Sequence, residues 1–212
     1  MSWFLANIGL VWQLTVTHVS ISIVPIVAGL LLSLPLGLLA HRVRASRGVL
    51  LMLGTILFTI PSLPLFIALP AVLGTGITSP VNVIVGLSIY ALALMLRSSA
   101  DAFDAIESDV RLSARGMGFS AWQLFWQLDL PLAGPVLLAG LRVVSATTVS
   151  LVSVGSVVGV TSLGYLFVNG FQRGIPAEVV TGIVATLLIA AVFDLVLVVA
   201  GRLLMPWRGA AR

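Results

Sequence analysis

Residues 101–131 read DAFDAIESDVRLSARGMGFSAWQLFWQLDLP and form a polar segment in an otherwise apolar chain. This segment holds five of the 7 acidic residues and two of the 11 basic residues, all of which are arginines. The sequence on either side of it is apolar enough to lie in lipid. Because charged side chains are costly inside a membrane, we expect the segment to fold in water and to bind a partner there.

The composition of the chain predicts an all-α integral membrane protein. Of its 212 residues, 59% are hydrophobic and 8% are charged, and the mean hydropathy is +1.18. A soluble domain usually has about a quarter of its residues charged. A net charge of +4 without lysine argues against nucleic acid as a partner. Cysteine is absent and the two histidines are isolated, so we expect no metal site and no cofactor.

Apolar segments of sufficient length predict five membrane spans within one domain. The spans cover residues 18–40, 49–73, 81–97, 132–152 and 179–204. Residues 1–17 form either an interfacial helix, because Trp3 and Trp12 favour the membrane surface, or the upper part of the first span. Residues 205–212 form a tail.

The arginines predict how the spans are oriented in the cell membrane. Nine of the 11 fall on one side of the predicted spans, namely Arg42, Arg44, Arg47, Arg97, Arg111, Arg115, Arg202, Arg208 and Arg212. Arg173 falls on the other side, and Arg142 lies within a span. Because positive charge is enriched in cytoplasmic loops, the N-terminus is predicted outside, with the C-terminus and the loop 98–131 in the cytoplasm.

A proline-rich motif lies inside the second predicted span. Residues 60–64 read IPSLP and should bend or interrupt the helix, because proline removes a backbone donor. The motif is either a structural kink or a lining of the translocation path by Pro61, Ser62 and Pro64. Irregular backbone at membrane depth is tolerated where it faces protein or water.

Two charged residues lie within the last two predicted spans. Arg142 and Asp194 fall ~16 and ~12 Å from the cytoplasmic ends of their helices at a rise of ~1.5 Å per residue. Because their depths are similar, we hypothesise that they pair and hold the two spans together. Alternatively, each side chain reaches the interface separately.

Within residues 101–131, the hydrophobic spacing predicts two short helices. One apolar stripe consists of Phe103, Ile106, Val110, Ala114 and Met117. Glu107 lies four residues before Arg111, in the favourable order for a helical ion pair. These two observations predict the first helix and its exposed face.

A glycine turn should separate the two helices of this segment. Residues 116–118 read GMG and can end the first helix in a left-handed conformation. Ser120 can cap a second helix over residues 121–128, which must end before Pro131, and Phe119 lies at the turn. The two helices either dock a cytoplasmic partner or rest on the membrane through Trp122 and Trp126.

The same segment resembles the EAA loop of type I ABC importer permeases. That signature reads Glu-Ala-Ala, three residues, Gly, nine residues, then Ile-x-Leu-Pro. Here residues 112–114 read LSA, Gly118 follows after three residues, and LDLP at 128–131 follows after nine, so the spacing agrees at each step. Residues 114–118, 60–64 and 134–142 resemble the osmoprotectant branch, which handles glycine betaine, carnitine and choline. The resemblance covers roughly residues 15–204.

The resemblance implies the five-helix core of the type I importer permease fold, with this loop forming coupling helices in a groove of an ATP-binding subunit. The residues it places at that contact are Glu107, Asp109, Leu112, Ser113, Ala114, Arg115, Gly116, Gly118, Phe119, Leu128, Leu130 and Pro131. It also implies that ATP is hydrolysed on a separate subunit. The chain agrees, because it lacks the GxxxxGK[ST] motif that cradles phosphate.

Leu112 departs from the family signature, since it stands where the signature has glutamate, and Ser113 replaces the first alanine. The family carboxylate is expected to pair with a basic residue of the ATP-binding subunit. Either Glu107 or Asp109 supplies the charge here, or the loop docks through apolar contact.

The function expected from these features is the membrane-spanning subunit of an ATP-driven importer for a small compatible solute. The implied partners are two ATP-binding subunits, a second permease copy or paralogue, and an extracytoplasmic substrate-binding protein. The glycine-rich residues 153–178 are the expected place where that protein docks or a gate closes. The alternatives are an importer for another small polar substrate such as an amino acid, a stand-alone channel or ion-coupled carrier, and a membrane scaffold.

Overall fold

The computed structural model describes residues 2–208, and regular structure within that range is helical. The α-helices are α1 (Ser2–Ala6), α2 (Ile8–Arg42), α3 (Arg44–Thr59), α4 (Ser62–Leu73), α5 (Pro80–Asp104), α6 (Ser108–Gly116), α7 (Ala121–Leu124), α8 (Leu130–Val152), α9 (Gly164–Gln172) and α10 (Pro176–Leu204). A π-helical segment (Phe125–Asp129) joins α7 to α8, and 3₁₀ turns cover Ser153–Val158 and Pro206–Arg208.

The lengths and compositions of the helices confirm an all-α membrane fold with four to five spans. Helices α2, α5 and α10 and the continuous stretch Ala121–Val158 are each long and apolar enough to cross a membrane. Helices α3 and α4 pass the same criteria together, although they are bent by 100° at the break between them. This bent pair takes the place of the second predicted span.

The first long helix begins earlier than the sequence suggested. Helix α2 starts at Ile8 and not near residue 18, so most of the expected lead-in is the upper part of the first span. The polar residues there do not interrupt the helix, because the hydroxyls of Thr15 and Thr17 donate to the carbonyls of Val11 and Gln13 one turn back. Its 35 residues reach ~52 Å, well beyond a ~30 Å hydrocarbon core.

Helices α2 and α5 pack closely through small residues at the centre of the molecule. A Cβ added at Gly29 would lie 2.6 Å from the Ala91 side chain, and one at Gly37 would lie 2.5 Å from that of Ser99. Ser99 donates a hydrogen bond of 2.9 Å to Ser33 between them, and both hydroxyl side chains are fully buried. Small residues allow such close approach of helices in lipid, where the hydrophobic effect does not drive association.

The proline-rich motif produces the bend between α3 and α4. Thr59 ends α3, and Pro61 precedes α4 in an extended conformation. The Tyr90 hydroxyl of α5 donates to the Ile60 carbonyl that the break leaves free. Because α3 has only 16 residues, ~24 Å, the bend lies within the thickness of the membrane. Ser62 and Pro64 begin α4, with Ser62 half-buried and Pro64 exposed.

Candidate coupling site

The polar segment begins with a break and not with a continuous helix. Helix α5 extends to Asp104, beyond the expected end of its span, and α6 starts only at Ser108. Phe103 and Ile106 are buried in the core as expected, but Val110 and Met117 are exposed. The single predicted stripe from 103 to 117 is therefore wrong, because the turn after Asp104 rotates the following helix.

The turn between α6 and α7 has the predicted structure. Gly118 has a φ of +89°, and the Phe119 amide donates to the Ala114 carbonyl to close the end of α6. Ser120 caps α7: its hydroxyl accepts from the Gln123 amide at 3.3 Å, while its own amide donates to the Gln123 side chain at 2.9 Å. These contacts fix the angle between the two helices.

The second helix of the segment differs from the prediction, because it does not stop before Pro131. Helix α7 ends at Leu124 and continues through the π-helical segment directly into α8. Pro131 lies in the first turn of α8, where the missing backbone donor costs least. The segment and the fourth span are thus one continuous body, Ala121–Val158.

Apolar side chains protrude from the outer side of the segment. Leu112, Met117 and Trp122 are 69%, 72% and 71% exposed, and we call these three residues the docking face. The remaining residues expected at the partner contact divide into two groups. Glu107, Asp109, Ser113, Arg115, Gly116 and Gly118 are exposed, whereas Ala114 is buried and Phe119, Leu128, Leu130 and Pro131 are half-buried. Leu128 and Leu130 pack against the core and do not face outward.

Arg111 holds α6 to the elements around it. Its Nε donates to Asp129 at 2.7 Å, one Nη donates to the Phe103 carbonyl at 2.9 Å, and the other lies 2.9 Å from His41 Nε2. The Arg111 and Asp129 side chains are only 14% and 5% exposed. The expected ion pair between Arg111 and Glu107 is therefore wrong, because the turn of the chain directs the guanidinium inward.

The contacts of His41 extend this polar cluster to two further helices. Its Nδ1 lies 2.5 Å from Asp104 at the end of α5. Arg47 of α3 forms salt bridges with both Asp104 and Asp101. The end of α2, the beginning of α3 and the end of α5 are thus linked to α6 and the π-helical segment through charged side chains.

The structure brings Arg142 and Asp194 together, as hypothesised from their depths. The Arg142 Nε donates to one carboxylate oxygen at 2.5 Å and an Nη donates to the other at 2.8 Å. This two-pronged contact joins α8 to α10. Both side chains remain 45% exposed on the surface of the single chain.

Residues 10–209 match the family described as the inner membrane component of binding-protein-dependent transport systems. The chain belongs to this family. It is therefore the permease subunit of an ABC importer, a multi-pass protein of the cell membrane that does not itself hydrolyse ATP. A binding protein and an ATPase are implied as its partners.

The permease is similar to several osmoprotectant permeases over nearly its whole length. It is 30% identical to the choline permease OpuBB of Bacillus subtilis, over 91% of this chain and 87% of the relative. It is 28% identical to the glycine betaine/carnitine/choline permease OpuCB of the same organism, over 97% and 94%. The osmoprotectant permease OsmW of Salmonella typhimurium is also 28% identical, over 91% and 90%.

The fold of the permease is that of a known importer. It superposes on the inward-facing methionine transporter MetNI with a TM-score of 0.76, covering 98% of this chain and 99% of that one. The sequence identity is 22%, so this likeness concerns the fold. It confirms the type I importer permease architecture that the resemblance of the loop implies.

On the opposite side of the permease, a buried carboxylate fixes the connection between the last two spans. Residues 153–178 contain the short helix α9, which packs against α10. Glu178 in the first turn of α10 is fully buried and accepts a hydrogen bond of 2.6 Å from Asn169 of α9. The N-terminal end of a helix favours a carboxylate.

Sequence reasoning missed the cluster around Arg111. His41 has no second histidine near it in the sequence, and Asp129 occupies the variable position in LDLP. Their one sequence signal was the rarity of charge in this chain, where 8% of residues are charged. The contacts join positions up to 70 residues apart, which helix periodicity does not reveal.

Proposed function

We propose that this permease imports a small compatible solute of the choline, glycine betaine and carnitine class. The observation that carries the proposal is the likeness to osmoprotectant permeases over 91% or more of the chain, at 28–30% identity. The proline-rich motif and the residues around Gly118 resemble the same branch. ATP hydrolysis on the partner subunits drives the uptake.

The docking face is the proposed contact with the ATP-binding subunit. It lies between two short capped helices and is apolar and exposed, as a surface that docks on a protein groove should be. Glu107 and Asp109 are exposed beside it and can supply a charge to the partner. Movement of the ATP-binding subunits would then shift α6 and α7 and, through the continuous backbone, α8.

A second permease copy or paralogue is proposed to complete the translocation path. One chain with four to five spans provides half of a symmetric pathway. Arg142 and Asp194 are half-exposed at membrane depth, and such charges are costly against lipid. We infer that this face of α8 and α10 is covered by the second permease or lines the aqueous path. Two ATP-binding subunits complete the assembly.

The connection of residues 153–178 is proposed to receive the binding protein or to act as the outer gate. By the distribution of arginines it lies outside the cell, together with the N-terminus. Asn169 and Glu178 anchor α9 there on the end of α10. The bend at Pro61, Ser62 and Pro64 is proposed to border the path, because irregular backbone at membrane depth is tolerated where it faces protein or water.

Uptake by proteoliposomes tests this function directly. The permease is reconstituted with its ATP-binding subunits and binding protein, with ATP inside the vesicles. Labelled choline, glycine betaine or carnitine should accumulate against a gradient, and each should compete with the others. Accumulation of methionine but of none of these solutes would overturn the proposed substrate class. Accumulation without ATP or without the ATP-binding subunits would overturn ATP-driven import.

A further inference from the structure

We propose that Arg111 is a positioning residue that transmits the movement of α6 to the membrane helices, and that this transmission requires a neutral His41. The inference rests on the proposed role of the segment as the docking site. Arg111 lies on α6, whereas its partners lie on α2, on α5 and in the π-helical segment. One side chain thereby connects α6 to three other elements.

The contacts of Arg111 make this connection stiff. Its guanidinium donates in three directions, to the Asp129 carboxylate, the His41 ring and the Phe103 carbonyl. A guanidinium presents its donors in a rigid planar arrangement, so displacement of α6 must strain all three contacts together. Asp129 is 5% exposed and Arg111 is 14% exposed, which limits the water that could replace these bonds.

The docking face and the Arg111 contacts lie on different sides of α6. Leu112 is directed outward and is 69% exposed, whereas Arg111 is directed inward. A substitution of Arg111 should therefore leave binding of the ATP-binding subunit intact while it weakens the connection to the spans. A loss of transport with unchanged binding of the ATP-binding subunit would therefore indicate a role in transmission and not in docking.

The hydrogen bonds of His41 define its protonation state in this arrangement. Its Nδ1 lies 2.5 Å from Asp104, and a carboxylate can only accept, so Nδ1 carries the proton. Its Nε2 lies 2.9 Å from an Arg111 nitrogen, and arginine can only donate, so Nε2 accepts and carries no proton. His41 is therefore neutral when both contacts are formed.

Protonation of His41 would break the contact with Arg111. The added proton on Nε2 would face an arginine N–H, which removes the acceptor and sets two positive charges against each other. The other charged groups around His41 are Asp104 and Asp101 of α5, Arg47 of α3 and Asp129 beyond Arg111. Asp104 can accept a hydrogen bond from neutral or protonated His41. Protonation therefore removes only the contact between His41 and Arg111.

Single variants of Arg111 and Asp129 test the transmission. In the reconstituted importer, Arg111→Met and Asp129→Asn should still co-purify with the ATP-binding subunits and still hydrolyse ATP. The amount of solute transported per ATP should fall several-fold in each, and the double variant should fall no further than the more affected single one. Arg202→Met, which removes an exposed arginine at the cytoplasmic end of α10, should leave this ratio unchanged.

The dependence on pH separates transmission from a merely structural role. Solute transported per ATP should fall as the internal pH is lowered, and His41→Gln should make the profile flat. Glutamine can donate to Asp104 and accept from Arg111 at every pH.

Two results would overturn the inference. An unchanged transport-to-ATP ratio in Arg111→Met and Asp129→Asn would show that the Arg111 contacts transmit nothing. The same pH profile in His41→Gln as in the wild type would show that His41 is not involved. Failure of the proposed function is distinguishable, because the wild-type assembly would then show no ATP-driven uptake at any pH.

Discussion

At the scale of single residues, Leu112 is where this permease departs from the signature of its coupling loop. The side chain is 69% exposed on the docking face and does not pack in the core. If the ATP-binding subunit offers the basic residue expected in the family, Leu112→Glu should preserve or tighten docking. An exposed ion pair contributes roughly 0.2–1 kcal/mol, which corresponds to at most about fivefold in affinity.

Titration of the ATP-binding subunit onto the reconstituted permease measures this effect. Leu112→Gln is the matched control, since it adds similar polarity and volume without charge. Tighter binding of the glutamate variant at low salt, which fades at high salt, is expected of an ion pair. A clear loss of affinity in both variants would show that this permease docks through apolar contact.

The pair formed by Arg142 and Asp194 makes a second prediction at this scale. Because each side chain neutralises the other at membrane depth, Arg142→Ala and Asp194→Ala should each lower the yield of folded permease in the membrane. The double variant should be no worse than the worse single variant, since removal of both partners leaves no charge unmatched. Quantitative size-exclusion profiles of the three variants in detergent measure the yield, and additive losses would contradict pairing.

At the scale of helices, the turn, the cap and the bend that depend on neighbouring residues alone were predicted correctly from the sequence. The turn at Gly118 and the cap at Ser120 depend on residues within one turn of each other, and both have the expected geometry. The bend after Thr59 follows from the local lack of a backbone donor. Local chemistry therefore sufficed for this turn, this cap and this bend.

The elements that the sequence did not predict depend on contacts from elsewhere in the chain. The break after Asp104 and the inward direction of Arg111 are decided by His41 and Asp129, which come from α2 and the π-helical segment. The continuity of α7 with α8 depends on a π-helical segment that no composition rule indicates. The turn at Gly118 and the cap at Ser120 were thus predictable, whereas the inward anchoring of Arg111 was not.

The packing of α2 against α5 predicts the effect of adding a single methyl group. In Gly37→Ala, the new Cβ would lie 2.5 Å from the Ser99 Cβ and 2.9 Å from its backbone, so one helix must move. We expect a loss of about 1–3 kcal/mol in stability, as for other overpacked contacts. Thermal unfolding in detergent measures it. Gly9→Ala, on the same helix with open space around it, is the control. Equal stability of the two variants would contradict close packing.

A further prediction concerns the bend between α3 and α4. Tyr90→Phe removes the hydroxyl that satisfies the Ile60 carbonyl but keeps the ring, which packs edge-on against Phe58 at 5.7 Å. An unsatisfied polar group of this kind costs about 1–3 kcal/mol, so the thermal midpoint should fall and uptake should fall with it. An unchanged midpoint would mean that water reaches this carbonyl, as it would in an open path.

At the scale of the whole molecule, the permease is a bundle of membrane helices with one polar segment fixed to one end of the bundle. The segment presents apolar side chains outward and anchors itself inward through Arg111. Helix α8 continues from it without a break, so a force on the docking face can reach the middle of the membrane. This arrangement is the physical basis for the proposed coupling between ATP hydrolysis and solute movement.

The central claim is that residues 101–131 lie in the cytoplasm and contact the ATP-binding subunit, and cross-linking tests it most directly. The chain has 0 cysteines, so single substitutions introduce unique thiols. Met117 lies on the docking face and is replaced in the variant Met117→Cys. Ile77 lies in the exposed turn between α4 and α5, on the side expected to be outside, and is replaced in Ile77→Cys. In a complex that transports solute, Met117→Cys should cross-link to the ATP-binding subunit, while Ile77→Cys should react only with an impermeant reagent added outside. Labelling of Met117→Cys from the outside, or its failure to cross-link within a transporting complex, would contradict the account.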